Sequence, residues 1–211
     1  MIVVFDLDGT LSDPAPGITA SINYALNRMR IQQQSTDRLT KYIGPPLKHI
    51  FQELLQGSKK QDIDRAIAFY RERYFRTGFK ENRLYPEVKT TLKLMKARGH
   101  HLYIATTKET QIAKAIIDRF DLTSLFEAVL GCGLKREKEE LLQVIREEEH
   151  HHLDMAMVGD RSFDMIAGKA LNCFCIGALW GYGSRDELLN SGADVLVEAP
   201  ENLLHYIGNR N

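Results

Sequence analysis

The stretch Ile2-Val3-Val4-Phe5-Asp6-Leu7-Asp8-Gly9-Thr10-Leu11 constrains this chain most. Four consecutive apolar residues read as a short strand. Because the run is continuous rather than alternating, it suits a strand covered on both faces, as at the centre of a parallel sheet. Two carboxylates follow at i and i+2, and a Gly-Thr break ends the run. Ligands of open α/β sheets bind beyond the carboxyl ends of the strands, which is where Asp6 falls. An aspartate can attack a phosphoryl group as a nucleophile. A second carboxyl can protonate the departing oxygen and later take a proton from water. A strand end carrying two solvated acids would show the same pair. A phosphate beside carboxylates is repelled, since like charges ~4 Å apart cost about 4 kcal/mol at an effective dielectric near 20. The chemical reading therefore requires cations elsewhere in the chain.

The rest of the chain divides by pattern. Ile18, Ile22, Ala25, Leu26 and Met29 recur at helical spacing. A short helix ends near Gly44, and Pro45-Pro46 marks a turn or helix start. Leu47, Ile50, Phe51, Leu54 and Leu55 mark a third helix; Ile63, Ile67, Tyr70 and Tyr74 mark a fourth, stopped by Gly78. Pro86 is expected to open a helix that Gly99 closes. Apolar strands at 102–105, 128–130, 155–158, 173–176 and 195–197 then alternate with helical segments. The alternation predicts an α/β fold, a doubly wound, mainly parallel Rossmann-like sheet built from residues 1–13 and 81–211. Residues 14–80 are expected to form an inserted helical cap.

Composition excludes several classes. The 211 residues are 44% hydrophobic and 27% charged, as in a soluble globular chain. No apolar run approaches the ~20 residues of a membrane span, and the chain enters its first strand with no expected cleavable signal. Cys132, Cys173 and Cys175 are odd in number and form no C-x-x-C, so disulfides and zinc are not expected; Cys173 and Cys175, in an apolar run, read as core thiols, and a reducing cytoplasm is expected. Net charge is zero, but residues 14–80 carry 12 Lys/Arg against 5 Asp/Glu, a surplus of +7. That suits either a solvated helical surface or a basic lid that steers anions. Without a basic run and interleaved aromatics, nucleic acid is not an expected partner. A small phosphorylated metabolite is, with the chain acting as a monomer or homodimer. The run from Glu147 to His152 reads as a solvated helix end rather than a metal site.

Cations and ligands of the required kind occur in order. The strand ending at Ala105 is followed by Thr106-Thr107-Lys108, whose hydroxyls and amides could hold phosphate oxygens. A lysine near a helix start, Lys138 or alternatively Lys135, could neutralise phosphoryl charge. The apolar strand Met155–Val158 leads into Gly159-Asp160-Arg161-Ser162-Phe163-Asp164. A hard cation such as Mg²⁺ takes one or two carboxylates together with waters and substrate phosphate.

Together, Asp6-Leu7-Asp8-Gly9-Thr10, Thr106, the lysine, and Gly159-Asp160-x-x-x-Asp164 resemble the four motifs of the haloacid dehalogenase superfamily of phosphatases. The resemblance implies Asp6 as nucleophile and Asp8 as general acid/base. It implies Thr106 and Lys138 on the phosphoryl oxygens. It also implies Mg²⁺ on Asp6, the backbone carbonyl of Asp8, and Asp160, with Asp164 as a ligand or acting through water. The helical insertion corresponds to a C1-type cap. Tyr42–Leu47 and Leu179-Trp180-Gly181-Tyr182-Gly183 are similar to the phosphoglycolate phosphatase branch; the second string reads as a turn. Thr107, Lys108, Gly44, Pro45 and Lys48 are the candidates for substrate contact. The expected activity is Mg²⁺-dependent hydrolysis of a small phosphomonoester through an aspartyl-phosphate, the ester being phosphoglycolate-like, a nucleoside monophosphate or a sugar phosphate. A phosphomutase would share every core motif and would differ in withholding water. Asp8 and Asp160 argue against a dehalogenase, and the full motif set argues against a non-catalytic binding module.

Overall fold

A computed structural model describes residues 1–132, 137–148 and 154–207. The chain divides into two compact units, Met1–Asp13 with Leu84–Asn211, and Pro14–Arg83. The main sheet of the first unit is built, among the described residues, from β1 (Ile2–Phe5), β2 (His101–Thr106), β3 (Ala128–Gly131), β4 (Met155–Gly159), β5 (Phe174–Ala178) and β6 (Val195–Val197). They form one parallel sheet in the order β3-β2-β1-β4-β5-β6. This is the Rossmann-like α/β architecture expected from the alternation.

The order reverses at β1, which lies between β2 and β4. Phe5 aligns with Ile104 on one side and Val158 on the other. A crevice opens at such a switch point because successive crossovers leave in opposite directions. The residues that follow β1 and β4 therefore emerge side by side.

In the second unit, α1 (Ala15–Arg28), α2 (Thr36–Leu39), α3 (Leu47–Leu54) and α4 (Lys60–Arg76) are the four helices read from the sequence. Ile18, Ile22, Ala25 and Leu26 of α1 are buried, as are Ala66, Tyr70 and Tyr74 of α4. Phe51 meets Tyr70 edge-on at 6.2 Å, and Tyr70 stacks on Tyr74 at 5.3 Å. Arg73 grips Glu81 with both guanidinium nitrogens, at 2.8 and 3.0 Å. Gly44 has φ +105°, which lets the chain reverse before Pro45-Pro46 and start α3.

The helices of the first unit are α5 (Val88–Ala97), α6 (Thr110–Arg119), α7 (Lys138–Glu148), α8 (Ser162–Ala170), α9 (Arg185–Asn190) and α10 (Leu203–Ile207). Side chains of a strand alternate between faces. Ile2 and Val4 join Tyr103, Met157, Leu141, Ile145 and Met165 in one apolar layer. Phe5 lines a small apolar gap on the other side with Val88, Leu92 and Leu203. Helix α5 starts at Val88 rather than at Pro86, because Glu87 takes a left-handed conformation (φ +58°) that interrupts the helix. The three cysteines are buried and free, and burial pushes the Cys132 thiol up to about 11 and the Cys175 thiol up to about 12. Among the described residues, no helix is long and apolar enough to cross a membrane.

Candidate active site

Asp6 leaves β1 with its amide donating to the Val158 carbonyl of β4 at 2.9 Å, which extends the sheet by one residue. The chain then closes a tight loop, with Leu11 and Ser12 amides both donating to the Leu7 carbonyl at 3.0 Å. Gly9 has φ +88°, and a Cβ there would lie 2.1 Å from Asp160 Oδ2, so only glycine lets this loop pass the carboxylate. Asp160 follows β4, the neighbouring strand at the switch point. Its Oδ1 accepts the Thr10 hydroxyl at 3.0 Å, and its Oδ2 accepts the Tyr182 amide at 2.9 Å.

Asp6, Asp160 and Asp164 are all buried, and one oxygen of each lies within 4.8 Å of the others. Lys138, at the first turn of α7, reaches into this group. Its Nζ donates to Asp6 Oδ1 at 2.9 Å and to Asp164 Oδ1. It places a cation against these carboxylates; Lys135, the alternative, lies outside the described residues, as do Glu149–His152. Burial works against the Lys138 charge, but Asp164 and Asp6 outweigh it and hold its ammonium well above the usual lysine range. Burial and the neighbouring carboxylates push Asp160 well up; burial also raises Asp164, to about 6 even with Lys138 beside it. Three carboxyl groups converge here around one ammonium, a buried set of oxygen donors. That donor set suits a hard divalent cation, so the residues present fit Mg²⁺.

The Asp8 carboxylate stands apart from this group. Its Oδ2 pairs with Lys108 Nζ at 2.7 Å, while Oδ1 is buried with no hydrogen-bond partner among the described residues. Burial raises its pKa above the usual carboxylate value, against the opposing pull of Lys108. A carboxyl whose proton affinity is raised in this way is suited to general acid/base work. Thr106 is buried at the end of β2, and Thr107 beside it is exposed. Gly44, Pro45 and Lys48 belong to the helical unit, with Lys48 exposed on α3. Sequence reasoning did not single out Thr10 as a partner of Asp160, nor Tyr182. Thr10 had a signal, since it closes the first motif.

Helix α8, which carries Asp164, is anchored at its start. Asp164 Oδ2 accepts the Arg161 amide at 3.0 Å, and Glu187 of α9 accepts both the Ser162 amide and Arg161 Nε at 2.9 Å. Burial opposes the Glu187 charge, but these donors prevail and hold its carboxyl below its ordinary value of 4.5. A depressed folded-state pKa gives stability that is complete above 4.5 and lost as pH falls through the lower folded value. Glu187→Gln should therefore lower stability by about 1 kcal/mol at pH 7, the charge-assisted share of these bonds. The gap to the parent should narrow as pH falls below 4.5. Urea unfolding at pH 7 and pH 3.5 checks both; an equal gap at the two values would exclude the charge as the cause.

The model of the haloacid dehalogenase-like hydrolase family matches residues 3–178, a span that contains every group just described except the turn at 179–183 and Glu187. The chain belongs to this hydrolase family. Among relatives of this haloacid dehalogenase-like hydrolase, a 5′-nucleotidase of Pseudomonas aeruginosa is 38% identical over 193 residues, covering 88% of this chain and 86% of the relative. A phosphoglycolate phosphatase of Aquifex aeolicus is 28% identical over 216 residues, covering 99% and 97%. The crystal structure of a predicted phosphatase from Clostridium acetobutylicum is 35% identical with a TM-score of 0.88, covering 99% of this chain and 98% of that one.

Proposed function

We propose that this hydrolase is a Mg²⁺-dependent phosphatase that cleaves a small phosphomonoester through an aspartyl-phosphate on Asp6. One observation supports the reading: at the sheet's switch point the Asp6 carboxylate lies two residues from a second, half-buried acid, Asp8, beside a paired ammonium and a three-carboxylate cluster. Asp6 attacks phosphorus, the bond from phosphorus to the ester oxygen breaks, and Asp8 gives that oxygen its proton. Asp8, now a carboxylate beside Lys108, takes a proton from water. The water oxygen bonds to phosphorus, the bond to Asp6 breaks, and inorganic phosphate leaves. Lys138 holds Asp6 in orientation through its 2.9 Å contact, and Thr106 would donate to a phosphoryl oxygen. Mg²⁺ held by Asp6, Asp160 and Asp164 would neutralise charge on the phosphoryl oxygens.

The 5′-nucleotidase relative supports a nucleoside 5′-monophosphate as the first substrate class, with phosphoglycolate second. Thr107 and Lys108 are the proposed leaving-group contacts of the first unit. A panel of nucleoside monophosphates, phosphoglycolate and sugar phosphates, scored by phosphate release with and without Mg²⁺, tests the reading. Turnover should require added Mg²⁺ after dialysis against chelator, with a loss of about 10³-fold or more in its absence, given the several kcal/mol such an ion supplies. Full activity in excess chelator would refute the metal dependence. Isomerised sugar phosphate without phosphate release would mark a mutase.

A further inference from the structure

The turn after β5, Leu179-Trp180-Gly181-Tyr182-Gly183, holds no residue used in the chemistry above. Yet it packs directly on Asp160. A Cβ at Gly181 would lie 2.3 Å from Asp160 Cβ, and one at Gly183 would lie 1.9 Å from the Asp160 carbonyl oxygen. The Tyr182 amide donates to Asp160 Oδ2 at 2.9 Å. Trp180 Nε1 donates to the Thr10 carbonyl at 2.9 Å, and the Thr10 hydroxyl donates to Asp160 Oδ1 at 3.0 Å. Both Asp160 oxygens are thus pinned, one by each of two loops, and Trp180 ties the loops together.

Tyr182 also has an anchor of its own. Its hydroxyl donates to Asp13 Oδ1, and the Tyr85 hydroxyl lies within hydrogen-bonding reach of the Tyr182 oxygen. Asp13 is the last residue before the helical unit, and Tyr85 is the second residue after it. The turn that orients Asp160 is therefore fastened to both chain segments that frame the insertion.

We infer that Tyr182 is a positioning residue for Asp160: its hydroxyl, held by Asp13, fixes the turn whose amide sets the Asp160 carboxylate, and so sets the site's affinity for Mg²⁺. This rests on the reading of Asp160 as a metal ligand. A carboxylate turns freely about its last torsion unless its oxygens are held. Each Asp160 oxygen spends one lone pair on a pinning donor and keeps another for an ion. Outer partners of this kind typically change metal affinity by about 10–100-fold when removed.

The test is a Mg²⁺ titration of the full chain without substrate, read by calorimetry and by fluorescence of Trp180, the single tryptophan. Tyr182→Phe should bind Mg²⁺ about 10-fold more weakly than the parent. Asp13→Ala, which removes the same bond from its other end, should match it, and the double variant should be no weaker than either. Asp13→Asn keeps an acceptor oxygen and should stay within about 2-fold of the parent, on the same scale. Ile117→Val is the control; Ile117 is buried on α6, and losing a methylene there costs about 1 kcal/mol without touching the clamp. Parent-like affinity in Tyr182→Phe, or equal weakening in Ile117→Val, overturns the inference. Asp160→Asn separates the two layers. If it binds as the parent does, the ligand reading falls and takes the inference with it. If it abolishes binding while Tyr182→Phe binds normally, the inference alone falls.

Discussion

Asp6→Asn should abolish turnover while leaving the fold intact, with a loss of about 10⁴-fold or more, the scale seen when a covalent nucleophile is removed. Asparagine has the shape of aspartate and keeps an Oδ1 to accept Lys138 Nζ, which lies 2.9 Å from Asp6 Oδ1. The amide cannot form the bond to phosphorus. The substitution also removes one of three crowded carboxylates, so thermal stability in the absence of metal should hold or rise. Acid quenching of the parent during turnover should trap phosphate on Asp6. Phosphate release by the asparagine variant at the parent rate would eliminate the covalent route, whatever else the site does.

Lys138→Met should damage both activity and stability. Methionine fills similar length and volume but leaves Asp6 and Asp164 buried without their shared cation. Breaking a buried pair from one side costs about 3–5 kcal/mol, because the remaining charge is stranded. In a chain of this size that is a fall in Tm on the order of 10 °C. Added Mg²⁺ should recover part of the loss, since an ion bound only by the folded state stabilises it by mass action. Thermal melts with and without Mg²⁺, beside a phosphate-release assay, check this. An unchanged Tm with full activity would return Lys138 to a passive place, and loss of activity in Lys135→Met instead would transfer the role to that lysine.

The features legible in the order of residues have local causes. The buried run Ile2–Phe5 can only be a strand covered on both faces, and the later alternation of apolar strands and helices leads to a parallel sheet with few other solutions. The helical pattern of residues 14–80 was equally plain, because four apolar stripes at helical spacing need no distant partner to be read. The motif carboxylates were visible because each directly follows a strand or opens a helix. The start of α5 was misplaced by two residues because Pro86 is a helix-opening residue and nothing local shows that Glu87 turns left-handed.

Tertiary structure alone decided which of these groups meet. Sequence spacing cannot show that β1 and β4 are neighbours, and their adjacency is what brings Asp6 and Asp160 together. Nor can it show that Lys138, 132 residues from Asp6, bridges that carboxylate to Asp164. Lys108 is two residues from Thr106, yet its charge goes to Asp8 across the crevice. The turn at 179–183 was legible as a turn, but its grip on Asp160 depends on glycines packed at distances that exist only once β5 lies beside β4. Burial makes the difference physical. A carboxylate in water tolerates many neighbours, whereas a buried one must have each charge and lone pair answered, and only the folded chain shows by which group.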